Sequence, residues 1–425
     1  MPEITINRSL SYTKGTQRIF GEAETLEKAK RGLSSIGVTR VAGITDLDRL
    51  GIPVFSTIRP SAAEGAISVY SGKGITENQA RISAMMESYE RCLSERNGLN
   101  KDVREDISAP HTIVTYEEIS EHGPAVDPAS LLMSETYSQE NLVEWISGWD
   151  LLKKEEVAVP ANAVYHPYDA PGRTIKLFRT NTNGLAAGNV LEEAILHGLL
   201  EVIERDALST AEFNRYPGKK VILSKEDGDN YELLQKFNDN GVDVKLWLLP
   251  HDTEITTIVA ATDDIRLKDP ALLVMGAGSH LRPEIAVRRA LTEAAQSRVV
   301  QIHGAREDTE REKFVREIGY ERIKRMNRYW YEEGNKTTVA QMKDLSKKSP
   351  AEDIETVLDQ LRKVVDSVIV VDLSRESIPV PVVRAIIPSF EMYTLDRERL
   401  GQRAKAGKKR KMTREERPWK HRTRK

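Results

Sequence analysis

The sequence predicts an α/β fold, of the α+β-like kind, with mixed or antiparallel sheets and helices packed on them. Strand and helix segments mix along the chain without strict βαβ alternation, so hairpins must connect some of the strands. The segment 180–210 also predicts a long helix that is apolar nearly all round. Such a helix must be buried, which places it near the centre of the fold.

Hydrophobic periodicity assigns the remaining elements in order. The amino-terminal part contains a helix at 23–35, strands at 37–45, 52–60 and 66–74, a helix at about 76–96, and strands at 142–152 and 157–165. After the central helix come a strand at 220–223, a helix at 229–239, strands at 244–250, 255–263 and 271–279, helices at 283–303, 308–332 and 351–365, and strands at 367–373 and 380–388.

Two segments depart from this pattern. Residues 97–140 contain Pro110, Pro124 and Pro128 and predict an irregular insert. From about residue 396 the chain becomes dense in Lys and Arg and poor in apolar residues, so it cannot bury a core. We therefore expect one domain at 1–395 and a disordered basic tail at 396–425.

The composition excludes several classes of protein. The net charge of −2 on 425 residues shows that the chain as a whole is not built to bind a polyanion. The single cysteine, Cys92, rules out an internal disulfide and suits a reducing cytoplasm. No apolar run approaches the roughly 18 residues of a membrane span, and the first residues lack the order of a signal peptide. We expect a cytoplasmic protein without a membrane partner.

The central helix carries charged residues on one narrow stripe. Glu201, Glu204 and Arg205 lie three and four residues apart, so they share a helix face. Carboxylates on a buried helix cost several kcal/mol each unless positive charge compensates them. A single arginine does not compensate two carboxylates, so further cations are expected at this stripe.

The same stripe occurs on two other predicted helices. A shift of 114 residues aligns Glu87 with Glu201, Glu90 with Glu204, Arg91 with Arg205, Ala80 with Ala194 and Gly74 with Gly188. A shift of 92 residues aligns Glu201 with Glu293, Glu204 with Gln296 and Ala194 with Ala286. These spacings are too long and irregular for short stacked repeats. We interpret the pattern as one motif that occurs three times within one fold, and we call this triple occurrence the sequence echo.

Convergence of the three helices would bring five carboxylates together. Mg²⁺ takes oxygen ligands and prefers to share them with phosphates, and glycine-rich turns at helix N-termini bind anions through backbone N–H groups. Lys73, Arg205 and Arg289 could supply further positive charge. The pattern therefore predicts a nucleoside triphosphate site with more than one Mg²⁺.

Several of these motifs and residues, taken singly, also allow simpler interpretations. One Glu-x-x-Glu-Arg motif is usually a surface ion pair, but three copies on apolar helices favour a shared site. Residues 71–74, SGKG, lack the spacing of a Walker A loop. His197 and His280 are more often satisfied polar groups than ligands, and no His or Cys pair has zinc-ligand spacing. Cys92 stays a minor alternative as a nucleophile.

These motifs together resemble the YcaO family. The segments that carry the resemblance are SAMMESYER at 83–91, the run at 183–205, RRALTEAAQ at 288–296, and the shorter motifs at 14–18, 44–60 and 68–74. The similarity covers about residues 10–390. It implies the YcaO fold with a central ATP site, and the use of ATP and Mg²⁺ to activate a peptide-backbone amide. In that chemistry a nucleophile adds to the carbonyl carbon, the amide oxygen takes the γ-phosphate and phosphate leaves.

The resemblance also implies a role for each matching residue. The catalytic, Mg²⁺-linked carboxylates correspond to Glu87, Glu90, Glu201, Glu204 and Glu293. The nucleotide contacts correspond to Lys14, Asn189, Glu193, Arg205 and Arg289, to which the adjoining motifs add Lys73 and Ser83.

One branch of the family fits less well. Azoline-forming members end in a proline-rich terminus, whereas this sequence ends in WKHRTRK. Its form is similar to the stand-alone methanogen type, which installs thioglycine in methyl-coenzyme M reductase, usually with a TfuA partner. The resemblance thus implies thioamide formation in the alpha subunit of that enzyme, a TfuA-like partner or sulfur donor, and a homodimer.

Two alternatives stay open at this point. One is the other stand-alone branch of the family, which is linked to ribosomal-protein methylthiolation. The other is an RNA-binding or ribosome-binding protein, in which the basic tail holds RNA or an acidic partner and binding depends strongly on salt.

Overall fold

The computed structural model describes residues 3–13, 17–96, 112–132, 137–305 and 311–409. Across these residues the chain forms three β-sheets with α-helices packed on them. The described strand pairs are antiparallel with one exception, the parallel pair formed by strands 336–338 and 219–222. The expected mixed or antiparallel sheets with packed helices are therefore confirmed. No helix in the described ranges is long and apolar enough to cross a membrane.

The strands, in chain order, are β1 (Arg40–Gly43), β2 (Val54–Ile58), β3 (Val69–Lys73), β4 (Thr112–Val114), β5 (Val143–Asp150), β6 (Glu155–Pro160), β7 (Leu185–Ala187), β8 (Lys219–Ile222), β9 (Val242–Leu248), β10 (Thr256–Asp264), β11 (Met275–His280), β12 (Lys336–Thr338), β13 (Ile369–Asp372) and β14 (Val382–Ile386). The helices are α1 (Glu22–Arg31), α2 (Glu77–Leu93), α3 (Tyr116–His122), α4 (Ala161–Val164), α5 (Leu191–Asn214), α6 (Asp229–Asp239), α7 (Pro283–His303), α8 (Arg311–Ile318), α9 (Tyr320–Met326), α10 (Pro350–Leu361) and α11 (Gln402–Lys409).

The six-stranded sheet lies on one side of the central helix. Its order is β4-β5-β13-β14-β7, with β6 added beside β5. Val383 and Ala385 of β14 pack in one apolar cluster with α5 and α10, whereas Val382 and Ile386 pack on the opposite face with the end of α2. Alternation along a strand produces these two faces. This sheet therefore holds α5 on one side and α2 on the other.

The five-stranded sheet, of order β11-β10-β9-β8-β12, is also covered on both faces. Ile258 and Ala260 of β10 pack with α6 and α7. Val259 and Ala261, on the other face, pack with the last turns of α5 and with Trp330. Helix α5 is thus buried between two sheets, as its apolar sequence requires.

The three-stranded sheet, β1-β2-β3, consists of two hairpins. Phe55 of β2 packs with Ala80 and Ala84 of α2. The side chain of Gln296 on α7 donates to the backbone oxygen of Ser71 in β3 at 2.5 Å. These contacts tie the small sheet to two of the three helices that carry carboxylates.

Most of the predicted elements are present, and the differences have local causes. Residues 308–332, predicted as one helix, divide at Gly319, whose φ of 84° is incompatible with a continuous helix. The expected irregular insert includes β4 and α3; α3 begins with a capping box formed by Thr115 and Glu118. The rest of that insert includes residues 97–111 and 133–136, which lie outside the described residues.

The predicted basic tail divides into two parts. The first part packs on the domain: Ala404 is fully buried, and its backbone N–H donates to Glu391 at 2.7 Å. Arg399 is also buried, and it donates to the backbone oxygen of Leu131 at 2.6 Å. Packing therefore continues past residue 395, where we predicted the boundary of the domain. Buried acceptors bind the Arg399 guanidinium and the Ala404 backbone N–H, which holds this segment on the domain. Residues 410–425 lie outside the described residues.

Candidate functional site

Helices α2, α5 and α7 converge on one cavity of about 1860 Å³. Among the residues that line it are all the predicted carboxylates: Glu87, Glu90, Glu201, Glu204 and Glu293. The predicted nucleotide-contacting residues that line it are Lys73, Ser83, Asn189, Glu193, Arg205 and Arg289. Lys14, the remaining predicted contact, lies outside the described residues.

Close contact with a glycine fixes two of the carboxylate helices, α2 and α5, against the segments before them. A Cβ added at Gly74 would lie 2.6 Å from the backbone nitrogen of Ala80, and one added at Gly188 would lie 2.5 Å from that of Ala194. Neither position has room for a side chain. In α2 and α5, the Gly and Ala positions of the sequence echo are therefore the places where the helix meets the segment before it.

Backbone N–H groups of neighbouring strands hold three of the carboxylates. Glu90 accepts from the N–H of Ala187 in β7 at 2.9 Å. Glu204 accepts from Ser279 in β11 at 2.9 Å. These bonds fix each carboxylate and still leave an oxygen atom for a further ligand. Glu293 accepts a longer bond, at 3.4 Å, from the N–H of Ala277.

Burial and mutual repulsion shift the pKa values of these carboxylates. Burial, together with the charges of Glu87 and Glu201, raises the pKa of Glu90 to about 8. Burial raises the pKa of Glu201 to about 7, because the nearby Arg205 compensates only part of that effect. The free protein therefore holds protons at this site near neutral pH, and a cation must displace them in order to bind.

The Glu204 and Glu293 carboxylates are unequal. Glu204 is 2% exposed, and burial together with the charge of Glu293 raises its pKa. Glu293 is partly exposed, and the ammonium group of Lys73, which forms an ion pair with it, outweighs the effect of burial and holds its pKa below the usual value. The ion pair thus favours the charged form of Glu293, whereas burial disfavours the charged form of Glu204.

The cations of the cavity are distributed around the carboxylates. Arg91 donates to Glu87 at 2.9 Å. The guanidinium of Arg289 lies 3.1 Å from Nε2 of His197, and its Nε has no hydrogen-bond partner within the described residues. Burial lowers the pKa of His197, and the charge of Arg289 lowers it further, so the ring is neutral and accepts this bond. Sequence reasoning passed over His197, although its position on the stripe was visible.

Glu193 holds a loop at the entrance of the cavity. Its two oxygens accept from the backbone N–H groups of Ile19 at 2.7 Å and of Asn189 at 3.0 Å. The carboxylate therefore positions the segments that carry Arg18 and Asn189. The side-chain oxygen of Asn189 is buried and has no partner among the residues described, and Asn189 also lines the cavity. It is a candidate contact for a ligand group that donates hydrogen bonds.

A second acidic cluster lies just beyond the site. Asp206, His251 and Asp252 are close enough to one another to bind a metal ion. The guanidinium of Arg403 already occupies this position, because it donates to Asp206 at 2.8 Å and to Asp252 at 2.8 Å. We therefore interpret this cluster as the anchor of helix α11.

Cys92 lies outside the cavity lining and is buried. Burial raises the pKa of its thiol to about 11, so a thiolate is rare at neutral pH. The minor alternative of a Cys92 nucleophile therefore loses its basis.

Comparison with known proteins gives a family match. The family model described as YcaO cyclodehydratase, ATP- and Mg²⁺-binding, matches residues 71–391. A protein of uncharacterised function from Methanothermobacter thermautotrophicus is 50% identical over 387 residues, which are 90% of this chain and 97% of that protein. An uncharacterised protein from the tfuA 3′ region of Rhizobium leguminosarum bv. trifolii is 29% identical, over 88% of this chain and 89% of that protein.

A solved structure of a family member also matches this chain. The YcaO protein of Methanopyrus kandleri, bound with AMPPCP and Mg²⁺, superposes with a TM-score of 0.72 at 30% sequence identity. The superposition covers 90% of this chain and 95% of that protein.

Proposed function

This chain belongs to the YcaO family, and we propose that it uses ATP and Mg²⁺ to replace the oxygen of a peptide-backbone amide by sulfur. The observation that carries this proposal is the convergence of five carboxylates from three helices on one cavity. ATP and Mg²⁺ are the cofactors of the family. When bound, they supply the phosphoryl group that turns an amide oxygen into a leaving group, and the charge that stabilises it.

The residues of the cavity fit these cofactors. Carboxylate oxygens are the protein ligands that Mg²⁺ prefers, and Glu90, Glu201 and Glu204 would hold the metal ions. Glu201 has no hydrogen-bond partner among the described residues. The unpartnered Nε of Arg289 and the cations at Lys73 and Arg205 would hold phosphate oxygens.

Two features favour sulfur from outside the protein. Cys92, the single thiol of the chain, is buried and outside the cavity lining. A relative that covers most of this chain takes its name from its position beside tfuA. A TfuA-like partner as the source of sulfur, and the alpha subunit of methyl-coenzyme M reductase as the substrate, are part of the proposal.

Mass spectrometry of a target peptide tests the reaction. The protein is incubated with ATP, Mg²⁺, sulfide and a glycine-containing peptide of the reductase alpha subunit. Exchange of oxygen for sulfur should add about 16 Da to the peptide and release ADP and phosphate. A loss of about 18 Da would instead indicate cyclodehydration and would overturn the thioamide assignment while leaving the ATP site in place.

Two matched variants control this assay. Glu204→Gln should abolish both the mass change and the release of ADP. Glu232→Gln, at an exposed position of α6 that does not line the cavity, should leave both unchanged. Thioamide formation without ADP release would contradict the proposed role of ATP.

A further inference from the structure

The outer edge of β11 carries backbone groups that face the cavity. Strand β11 lies at one edge of the five-stranded sheet and pairs with β10 on its other side. The N–H of Thr262 in β10 donates to the oxygen of Val274 at 2.9 Å. Bonded and non-bonded residues alternate in an antiparallel pair, so the backbone groups of Met275, Ala277 and Ser279 point away from β10. We call these groups the β11 edge.

Side chains of α7 take up part of the β11 edge. Glu293 accepts from the N–H of Ala277 in a long bond of 3.4 Å. The hydroxyl of Ser297 donates to the oxygen of Met275 at 3.2 Å. The N–H of Met275 and the oxygen of Ala277 have no hydrogen-bond partner among the residues that the structure describes, and both residues line the cavity. A donor and an acceptor are thus free beside the carboxylates, as at a sheet edge that can add a strand.

The cavity continues from the β11 edge into an apolar arm, which we define as Met275, Val300, Phe314, Ile323, Met326 and Tyr329. Val300 lies two turns of α7, or about 10 Å, beyond Glu293. Phe314 is 62% exposed and Met326 is 53% exposed, although both side chains are apolar. Exposed apolar side chains on the wall of a binding cavity indicate a surface that a ligand covers.

An ion pair and an apolar cluster hold α9 beside the β11 edge. Lys324 of α9 donates to Asp263 of β10 at 2.5 Å. Tyr329, just after α9, and Met275 of β11 both pack against the cluster that contains the buried Trp330. The apolar arm and the β11 edge are therefore fixed relative to each other before a ligand binds, which lowers the entropic cost of binding one.

An extended polypeptide is the ligand that matches both features. The reacting amide must lie beside the carboxylates, and Glu293 itself contacts the β11 edge, so the residues next to that amide reach the edge. Strand addition joins such a chain to a sheet through backbone hydrogen bonds, while pockets for side chains supply specificity. Two residues of a strand span about 7 Å, so a chain that pairs with Ala277 reaches the apolar arm within a few residues.

We propose that the substrate polypeptide binds as an added strand on the β11 edge and inserts an apolar side chain into the apolar arm. This inference rests on the proposed function, since it names how the same site recognises its peptide. The N–H of Met275 donates to a peptide carbonyl, and the oxygen of Ala277 accepts from a peptide N–H. The apolar side chain belongs to a residue about two to four positions from the target amide. The pairing holds that amide beside the carboxylates.

Peptide-dependent release of ADP provides the first test. Phe314→Ser with Met326→Ser should raise the KM for the glycine-containing peptide by about 10-fold or more, because apolar contacts with the peptide are lost. The KM for ATP should change by less than about 2-fold, because the carboxylates and their cations stay in place. An unchanged KM for the peptide would overturn the proposed role of the apolar arm.

The matched control for this pair is Ile265→Ser with Leu267→Ser. These two side chains are 54% and 60% exposed, which is close to the exposure of the two arm residues, and they do not line the cavity. The control should leave both KM values unchanged. Equal effects of the two double variants on the KM for the peptide would overturn the proposal.

A series of N-methylated peptides tests the strand pairing without changing the protein. A strand presents successive N–H groups to opposite sides, so only alternate groups can face the β11 edge. Outside the target amide, N-methylation should lower kcat/KM by about 10-fold or more at the N–H that faces Ala277, and by less than about 3-fold at the N–H on each side of it. Equal losses at three consecutive positions, or no such loss at any position, would overturn the pairing.

Hydrogen exchange without sulfide separates this inference from the proposed function. The full chain is kept with AMPPCP and Mg²⁺, with and without the glycine-containing peptide. The peptide should slow exchange of the Met275 amide by about 10-fold or more, because this N–H gains a partner. Protection in a protein that forms no thioamide would keep the strand site and overturn only the thioamide assignment. Thioamide formation without protection would overturn the strand site alone, and a peptide that does not bind would overturn both.

Discussion

Glu204 and Glu90 make the same hydrogen bond at positions related by the sequence echo. Glu204 accepts from the N–H of Ser279, and Glu90 accepts from the N–H of Ala187, both at 2.9 Å. The shift of 114 residues relates the two acceptors, and the shift of 92 residues relates the two donors. Each carboxylate helix thus contacts the strand that leads into the next one.

The third helix returns to the first by a related contact. Gln296 is the counterpart of Glu204 in the echo, and its amide donates to the backbone oxygen of Ser71 in β3, the strand that precedes α2. An amide can donate to a carbonyl oxygen, which a carboxylate cannot do. The three contacts follow one another around the cavity, which explains why the echo includes glutamine at this position.

The first prediction concerns the charge of Glu204. Glu204→Gln should lower the ATPase kcat/KM by about 100-fold or more, because a candidate metal ligand is lost. The fold should be retained, since the glutamine oxygen can still accept from Ser279 and a costly buried charge is removed. ATPase kinetics and thermal unfolding of this variant and of Glu232→Gln measure the two effects. A cooperative unfolding transition lost only in Glu204→Gln would contradict the expected retention of the fold.

A second prediction concerns protons released by ligand binding. Because the pKa values of Glu90 and Glu201 are raised to about 8 and about 7, both carboxyl groups are partly protonated in the free protein at pH 7. Binding of AMPPCP with Mg²⁺ should therefore release protons at pH 7, and release fewer at pH 9. Calorimetric titration in buffers of different ionisation enthalpy measures the number released. Equal release at the two pH values would contradict the role of these carboxylates as metal ligands.

The same pKa shifts predict how stability depends on pH. A carboxyl group whose pKa is raised by folding stays protonated in the folded chain while the unfolded chain has already lost its proton. The free energy of unfolding of the ligand-free protein should therefore fall as pH rises from about 4.5 through 8, and Mg²⁺ with nucleotide should reduce that fall. Urea unfolding over this range tests it, with Glu90→Gln expected to flatten the profile.

The close contact at Gly72 gives a prediction about packing. A Cβ at this position would lie 1.9 Å from the backbone nitrogen of Ala84, so α2 would have to move away from β3. Gly72→Ala should destabilise the protein by about 1–3 kcal/mol or more and weaken nucleotide binding, because Glu87 and Glu90 move with the helix. Gly123→Ala, where the added atom meets nothing within 4 Å, is the control. Nucleotide affinity that stays unchanged in Gly72→Ala would show that α2 does not need this position.

Helix α11 gives a prediction about the carboxyl-terminal residues. A chain ending at residue 409 should keep its thermal stability and nucleotide affinity. A chain ending at residue 400 should lose stability by about 2–4 kcal/mol, because Asp206 loses the guanidinium of Arg403 and stays buried. Thermal unfolding of both chains decides this. Salt-dependent RNA binding by the full chain that is lost in the 409 chain would support the alternative role of the basic tail.

Cys92→Ala should keep wild-type ATP turnover and the proposed thioamide formation. The thiol is 8% exposed and packs in an apolar cluster with Tyr89 and Leu93. Its loss should cost about 1 kcal/mol of unfolding free energy. Assays of ADP and of peptide mass measure both activities, and a variant that folds but forms no thioamide would restore Cys92 as a candidate nucleophile.

The sequence by itself determined the elements and the composition of the site. Apolar periodicity located α5 and α7, because a buried helix needs apolar residues at regular positions along its own sequence. The triple echo identified five carboxylates as one group, since unpaired charges on buried helices need a common partner. Both inferences depend on residues that are close together along one helix, because apolar side chains avoid water and charged side chains avoid burial without a partner.

Only the tertiary structure decided which groups meet across the fold. The pairing of Lys73 with Glu293 and of Arg289 with His197 joins residues 220 and 92 positions apart, and no local pattern encodes such distances. The composition from residue 396 onward predicts disorder, because its side chains could not form a core. The structure shows that Arg403 and Ala404 nevertheless bind buried acceptors, Asp206 and Glu391, which hold this part of the chain on the domain.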